Sequence, residues 1–172
     1  MNYKDAIIET NRLVIRSLDE NNVSDLVEIL TDNEIKKTYM LPDLKTDEEI
    51  DKMVKRLFSL SFSNEHFFFG IYLGNKLIGF MNDVEFDDGD IEVGYVINSK
   101  YKNNGYCSEA LKGLISYLFS KEVKAVTSGA FEGNNASFKV MEKAGMSKID
   151  KVDSIEYRGE THKCYYYKII KK

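Results

Sequence analysis

Tyr101-Lys102-Asn103-Asn104-Gly105-Tyr106-Cys107-Ser108-Glu109-Ala110 separates two patterns of different period. Before it, Ile91-Glu92-Val93-Gly94-Tyr95-Val96-Ile97 reads as a strand. After it, Ala110, Leu114 and Leu118 form one helical row, with Leu111, Ile115 and Phe119 beside it. The junction is a strand-to-helix turn. Such a turn presents consecutive backbone N–H groups at a helix N-terminus, where unpaired donors and the positive dipole end favour an anion. Gly105 lets the backbone approach a phosphate closely. The same residues also read as a plain connection, with Ser108 or Asn104 as a cap and Glu109 favourable in the first turn.

The flanking sequence supplies the layers. Upstream, residues 12–16 read as a first strand, and Val23, Leu26, Val27 and Leu30 recur at helical spacing. Thr46-Asp47-Glu48-Glu49 fits a capping box, followed by the helical stripe Ile50, Met53, Val54, Leu57 and Leu60. Residues 67–73 and 77–80 flank Gly74-Asn75, a pair suited to a tight hairpin turn. Downstream come a strand over 123–130, a helix over 137–144 ended by Gly145, and a strand over 146–152. Tyr157-Arg158-Gly159-Glu160 then turns the chain into a last strand over 162–170. Antiparallel hairpins first and crossovers later predict a mixed sheet in an α/β or α+β layer fold.

The chain has 172 residues with 24 Lys plus Arg against 28 Asp plus Glu, a formal charge of −4. That length predicts one domain over 1–172, able to bury roughly 70% of its unfolded surface without disulfides or a metal. The acidic balance argues against nucleic acid as a default partner. No run approaches the ~18 apolar residues of a membrane span, and Met1-Asn2-Tyr3-Lys4-Asp5 has no signal-type apolar region. Two cysteines, Cys107 and Cys164, are too few for a disulfide framework, which points to a reducing cytoplasm. Neither they nor His66 and His162 have metal-ligand spacing, so no metal site is expected.

Residues 91–110, with Asn134-Asn135-Ala136-Ser137-Phe138-Lys139-Val140-Met141-Glu142-Lys143-Ala144-Gly145-Met146, resemble the GNAT family of acyl-CoA-dependent N-acetyltransferases. The similarity is greatest to the branch that includes ribosomal-protein N-terminal acetyltransferases. The opening Glu9-Thr10-Asn11-Arg12-Leu13-Val14-Ile15-Arg16-Ser17-Leu18 resembles that branch's first strand. The likeness therefore covers nearly the whole chain.

The resemblance implies a mostly antiparallel sheet of about seven strands, helices on both faces, and a splay in the middle that admits coenzyme A. It implies acetyl-CoA as cosubstrate, no metal, and a primary amine as acceptor. In the family the phosphate loop runs Gln/Arg-x-x-Gly-x-Gly/Ala. By resemblance, Lys102, Asn103, Asn104, Gly105, Tyr106, Cys107 and Ser108 would hold the pyrophosphate. Main-chain groups of Val96 and Ile97, with Asn134, would hold the pantetheine arm. Lys102 keeps a charge but loses the planar fork of Arg, and Cys107 places a thiol where the family has Gly or Ala.

An amine must lose a proton as it attacks a thioester. At pH 7 that costs about 4.6 kcal/mol for a lysine-like amine and about 1.4 for an α-amine. Glu92, on the strand beside the expected acyl group, is the candidate general base; it also reads as a solvated strand-face carboxylate. Many relatives carry a tyrosine seven residues after the Asn to protonate the thiolate; here that position is Met141. By resemblance, Ser137 stands where the ribosomal branch has a serine in this role, while the residues themselves favour reading it as a helix cap. Cys107 invites a nucleophilic reading, because a helix N-terminus lowers a thiol's pKa.

Asp83, Glu85, Asp87, Asp88, Asp90 and Glu92 crowd one segment, so a cationic acceptor is one expectation and a solvated hairpin tip the other. The last strand, with Tyr165-Tyr166-Tyr167, could pair in a homodimer or simply finish the sheet. Two further functions share the motifs. One is a catalytically silent acyl-CoA-binding module; the other is a binder of a different phosphorylated ligand.

Overall fold

The computed structural model describes residues 3–172. Met1 and Asn2, part of the N-terminal stretch assessed above for a signal, lie outside the described residues. The strands are β1 (Ile7–Glu9), β2 (Val14–Ser17), β3 (Phe68–Leu73), β4 (Lys76–Asp87), β5 (Asp90–Ile97), β6 (Ala125–Phe131), β7 (Ser147–Tyr157) and β8 (Glu160–Ile170). The α-helices are α1 (Val23–Thr31), α2 (Asn33–Lys36), α3 (Asp47–Ser61), α4 (Tyr106–Ser120) and α5 (Asn135–Lys143).

The strands form one sheet in the order β1-β2-β3-β4-β5-β6-β8-β7, and the β5–β6 pair is the parallel one. The expected mixed, mostly antiparallel architecture is present, with eight strands where about seven were expected. The added strand is β1, whose three residues alternate exposed, buried, exposed. Three residues are too few to show a period. Strand β4 also runs on to Asp87, beyond the expected end at Phe80, through a polar and acidic stretch that pairs with β5.

Two cores sandwich the sheet. On one face, Ile91, Val93 and Ile97 of β5 pack with Leu111, Leu114 and Leu118 of α4 and Met141 of α5. On the other, Phe68, Tyr72, Phe80 and Val96 pack with Leu26, Ile29 and Leu30 of α1 and Leu57 of α3. Successive side chains of β5 thus feed opposite cores, as a strand covered on both faces requires.

Local signals decide the element ends. At α3 the Thr46 hydroxyl accepts the Glu49 N–H at 3.2 Å, and Glu49 accepts the Thr46 N–H at 3.0 Å. Thr46→Ala should therefore cost about 1 kcal/mol and lower Tm by roughly 2–4 °C, read by a thermal melt. The β7–β8 turn places Arg158 at φ 55° and Gly159 at φ 78°, the left-handed pair that a two-residue hairpin needs.

Candidate active site

Strands β5 and β6 pair only where Asp90, Ile91 and Glu92 meet Ala125, Val126 and Thr127. Beyond Glu92 they diverge. At the vertex the Ser128 hydroxyl donates to the Val93 carbonyl at 2.8 Å, in place of a ladder bond. Past that point the β6-facing edge of β5 is open. Alternation turns the main-chain groups of Tyr95 and Ile97 to this edge, the same side as Val93. Those of Val96, opposite Phe80, face β4. A cleft of about 600 Å³ fills the gap, and both Val96 and Ile97 line it, as do Ser128, Gly129, Asn134 and Ser137.

The cleft ends on the turn into α4. Asn103 has φ 64° and Gly105 φ 77°, and Gly105 stands at the cap position. The Asn104 side-chain amide donates to the carbonyls of Lys102 (2.9 Å) and Tyr101 (3.2 Å), which folds the loop on itself. Neither Asn104 nor Ser108 caps the helix through its side chain. Among the described residues, the main-chain N–H groups of Asn103, Asn104, Gly105, Tyr106, Cys107 and Ser108 have no protein acceptor. The next amide along, that of Glu109, reaches the Gly105 carbonyl at 3.0 Å. Six consecutive donors at a helix N-terminus form an anion nest.

Glu109 has a larger role than first-turn charge. It accepts the Thr10 hydroxyl, the Arg12 N–H and the Arg12 Nε–H, each at 2.7 Å. Arg12 in turn donates to the Asn104 carbonyl at 3.0 Å and lies 4.5 Å over the Tyr106 ring. Burial raises the Glu109 pKa, but the bonds from Thr10 and Arg12 outweigh it and hold the carboxyl below its usual value. The loop is thereby fastened to the β1–β2 connection.

Cys107 lines the cleft, but burial pushes its thiol up to about 12. That runs against the nucleophilic reading, which needs the thiol's pKa lowered: burial keeps the group a thiol at neutral pH. Ser137 is not the cap of α5 either. The cap is Asn134, whose Oδ1 accepts the Ser137 N–H at 3.2 Å. The Ser137 carbonyl accepts the Tyr95 hydroxyl at 3.2 Å. Met141 is fully buried in the core.

Glu92 lies on the opposite face of β5 from Tyr95, with its side chain 17% exposed. Lys151 Nζ is 3.8 Å away, and among the described residues no protein group hydrogen-bonds the carboxylate. Burial raises its pKa above the ordinary glutamate value; Lys151 opposes this, while Glu85 and Asp153 add to it. Every other Asp or Glu with a resolved shift among the described residues moves down. Glu92 thus combines burial, an open acceptor and raised basicity, as a general base requires.

Three of the other five carboxylates in the acidic run around it are ion-paired. Asp83 meets His66 at 2.6 Å, Asp88 meets Lys124 at 3.3 Å, and Asp90 meets Lys168 at 2.5 Å. Its field on an approaching cation is correspondingly reduced.

Residues 12–147 match the family described as Acetyltransferase (GNAT) domain, which is most of the chain. The protein belongs to the GNAT acetyltransferase family. Similar proteins include two from Bacillus subtilis strain 168. The uncharacterised N-acetyltransferase YnaD is 27% identical, over 96% of this chain and 97% of its own. The uncharacterised N-acetyltransferase YoaA is 24% identical over the same shares. Among solved structures, a GNAT-family acetyltransferase from Bacillus anthracis superposes with TM-score 0.81 at 26% identity, covering 96% of this chain and 98% of the other. RimL, the ribosomal L7/L12 α-N-protein acetyltransferase in complex with coenzyme A, gives 0.84 at 20% identity, over 96% and 98%; this likeness is one of fold.

In this GNAT acetyltransferase two cleft residues escape sequence reading. Tyr39, from the connection after α2, lines the cleft and donates to Asn82 Oδ1 at 2.6 Å. Its hydroxyl lies 3.1 Å from where a Cβ on Gly94 would sit, so Gly94 is the residue that lets β5 pass beneath it. Nothing near Tyr39 in sequence signals this. Tyr95 carried a signal: it is the polar member of the apolar row Ile91, Val93 and Ile97. Burial strongly raises the pKa of both hydroxyls, which keeps them protonated. No helix among the described residues is long and apolar enough to cross a membrane.

Proposed function

We propose that this protein, as a single domain over 1–172, moves an acetyl group from acetyl-CoA to a primary amine by direct attack in a ternary complex. The observation that carries this reading is the open edge of β5 running into six unpaired amides at α4. A pyrophosphate needs such a nest, and a pantetheine amide needs an unpaired strand edge. Amides 103–108 would hold the pyrophosphate, with Lys102 beside them. Ile97 and Tyr95 offer main-chain groups to the arm, while Val96 contributes its position in the wall. Asn134 keeps its side-chain amide for the arm, since among the described residues its Nδ2 has no protein partner.

Glu92 serves as general base. It is two residues from Gly94, about 7 Å along the strand, so it reaches an amine at the vertex directly or through one water. The amine nitrogen bonds to the thioester carbon, the carbon–sulfur bond breaks, and the ammonium proton passes to Glu92. The departing sulfur takes a proton from Ser137 at the cleft wall or from water, and the second proton that the nitrogen sheds as the amide forms restores that donor. Relatives of this fold include an enzyme acting on a protein N-terminus and one crystallised with acetyl-CoA and AMP. An α-amine is the acceptor class that this mechanism serves best, because it is the cheaper to deprotonate.

A thermal melt with acetyl-CoA, against ADP as control, tests the cosubstrate. At ~100 times Kd the ligand adds about 2.7 kcal/mol, so Tm should rise roughly 5–10 °C with acetyl-CoA and little with ADP. No shift with either ligand would overturn the reading.

A further inference from the structure

Strand β7 is irregular where it passes Glu92. Lys148 pairs with Tyr167 and Val152 with Tyr165, so Ile149, Asp150 and Lys151 together face the single residue Tyr166. A bulge of this kind re-aims side chains, and here the re-aimed one is Lys151. Its Nζ lies 4.1 Å over the Tyr166 ring, 3.8 Å from Glu92 and 3.7 Å from Asp153. The same ring packs against Gly129: a Cβ there would fall 2.7 Å from Tyr166 Cε1. Gly129 also lines the cleft, so the ring under Lys151 backs the wall of the site from behind.

The titratable groups facing Glu92 come from three strands. Glu85 of β4 and Asp153 of β7 carry like charge and drive a proton onto it. From β8, Cys164 and Tyr166 are thiol and phenol whose pKa values burial raises, so both stay neutral and offer no countercharge. Lys151 is the cation of the group. At 3.8 Å it is too distant for a hydrogen bond, so it supplies charge while leaving both carboxylate oxygens free to take a proton.

We propose that Lys151 is a positioning residue for acetyl transfer: set over the Tyr166 ring by the β7 bulge, it keeps Glu92 ionised between two like charges without occupying its proton-accepting oxygens. This rests on the reading of Glu92 as general base. Without Lys151, burial and the like charges of Glu85 and Asp153 would act on the Glu92 carboxyl unopposed and favour its protonated form. A hydrogen-bonded partner would compete with the substrate amine for the same lone pairs.

The test uses the full chain with acetyl-CoA and three acceptors: a short peptide with a free α-amine, spermidine and lysine. Two quantities are followed against pH. One is kcat/KM for release of CoA thiol. The other is the Glu92 carboxyl resonance in ¹³C-Glu-labelled protein without substrate, assigned by its loss in Glu92→Gln. Lys151→Gln should move both the acidic limb and the carboxyl titration to higher pH. Lys151→Arg should restore both. Asp153→Asn, which removes a like charge, should move both to lower pH. The stabilisation by acetyl-CoA should be the same in every variant. A Glu92 titration that is unmoved in both Lys151→Gln and Asp153→Asn overturns the role of Lys151. A titration that moves while Glu92→Gln keeps wild-type turnover overturns instead the assignment of Glu92 as base, and the proposal with it.

Discussion

Glu92→Gln should lower kcat for CoA release by about 10²–10⁴, with KM for acetyl-CoA unchanged. The substitution keeps the shape of the side chain and removes its capacity to take a proton. Glu92 is absent from the lining of the cleft and lies on the opposite face of β5 from Tyr95. The stabilisation by acetyl-CoA should therefore survive, which separates a lost base from a damaged fold. Loss should be greater for a lysine-like acceptor than for an α-amine, since freeing the former costs about 3 kcal/mol more at pH 7. The variant should also lose the acidic limb of the wild-type pH profile. That limb reflects a carboxyl whose pKa burial raises, with Glu85 and Asp153 adding and Lys151 opposing. A decrease below about threefold, measured with each acceptor, would remove Glu92 from the chemistry.

The legible parts of this molecule are those whose causes are local in sequence. The Thr46–Glu49 box spans three residues, and the geometry follows from those residues alone. The anion nest is similar: Asn103, Asn104 and Gly105 supply two left-handed positions and one self-bonded side chain. Long separations defeat sequence reading. Glu109 looks like a first-turn acid, yet its partners Thr10 and Arg12 lie 99 and 97 positions away. Tyr39 reaches Asn82 across 43 positions. The β7 bulge depends on the register of a partner strand, which no property of residues 149–151 by themselves discloses. Lys102 and Cys107, the departures from the family pattern, leave the amides of the nest without a protein acceptor. The donors of the nest are main-chain groups, which side-chain identity does not supply.

Glu109→Ala should destabilise the fold and loosen the turn into α4 at once. The carboxylate is 17% exposed and accepts three hydrogen bonds, two of them from Arg12. Bonds to an ionised acceptor are worth about 1.5–3 kcal/mol each. Arg12 is itself 41% exposed, so solvent screening brings the total below the sum of three such bonds. A loss of about 3 kcal/mol follows, lowering Tm by roughly 6–12 °C. The effect has a defined pH dependence. The folded-state pKa of Glu109 lies below its unfolded value, so its contribution is full above the unfolded carboxylate pKa. It is lost as pH falls through the folded value, and the gap between wild type and variant should close there.

The functional consequence runs through Arg12. Once unpinned, the guanidinium no longer fixes the Asn104 carbonyl, and the amides beside it lose their common aim. KM for acetyl-CoA should rise at least severalfold at a temperature where both proteins are folded. Glu109→Gln refines the test. Its remaining oxygen can keep the bonds from Thr10 and the Arg12 N–H, while its NH₂ would face the Arg12 Nε–H, donor against donor. Its loss in Tm should therefore fall between wild type and Glu109→Ala. A fall in Tm with KM unchanged would mean that the clamp holds the sheet edge alone and that the nest keeps its shape without it.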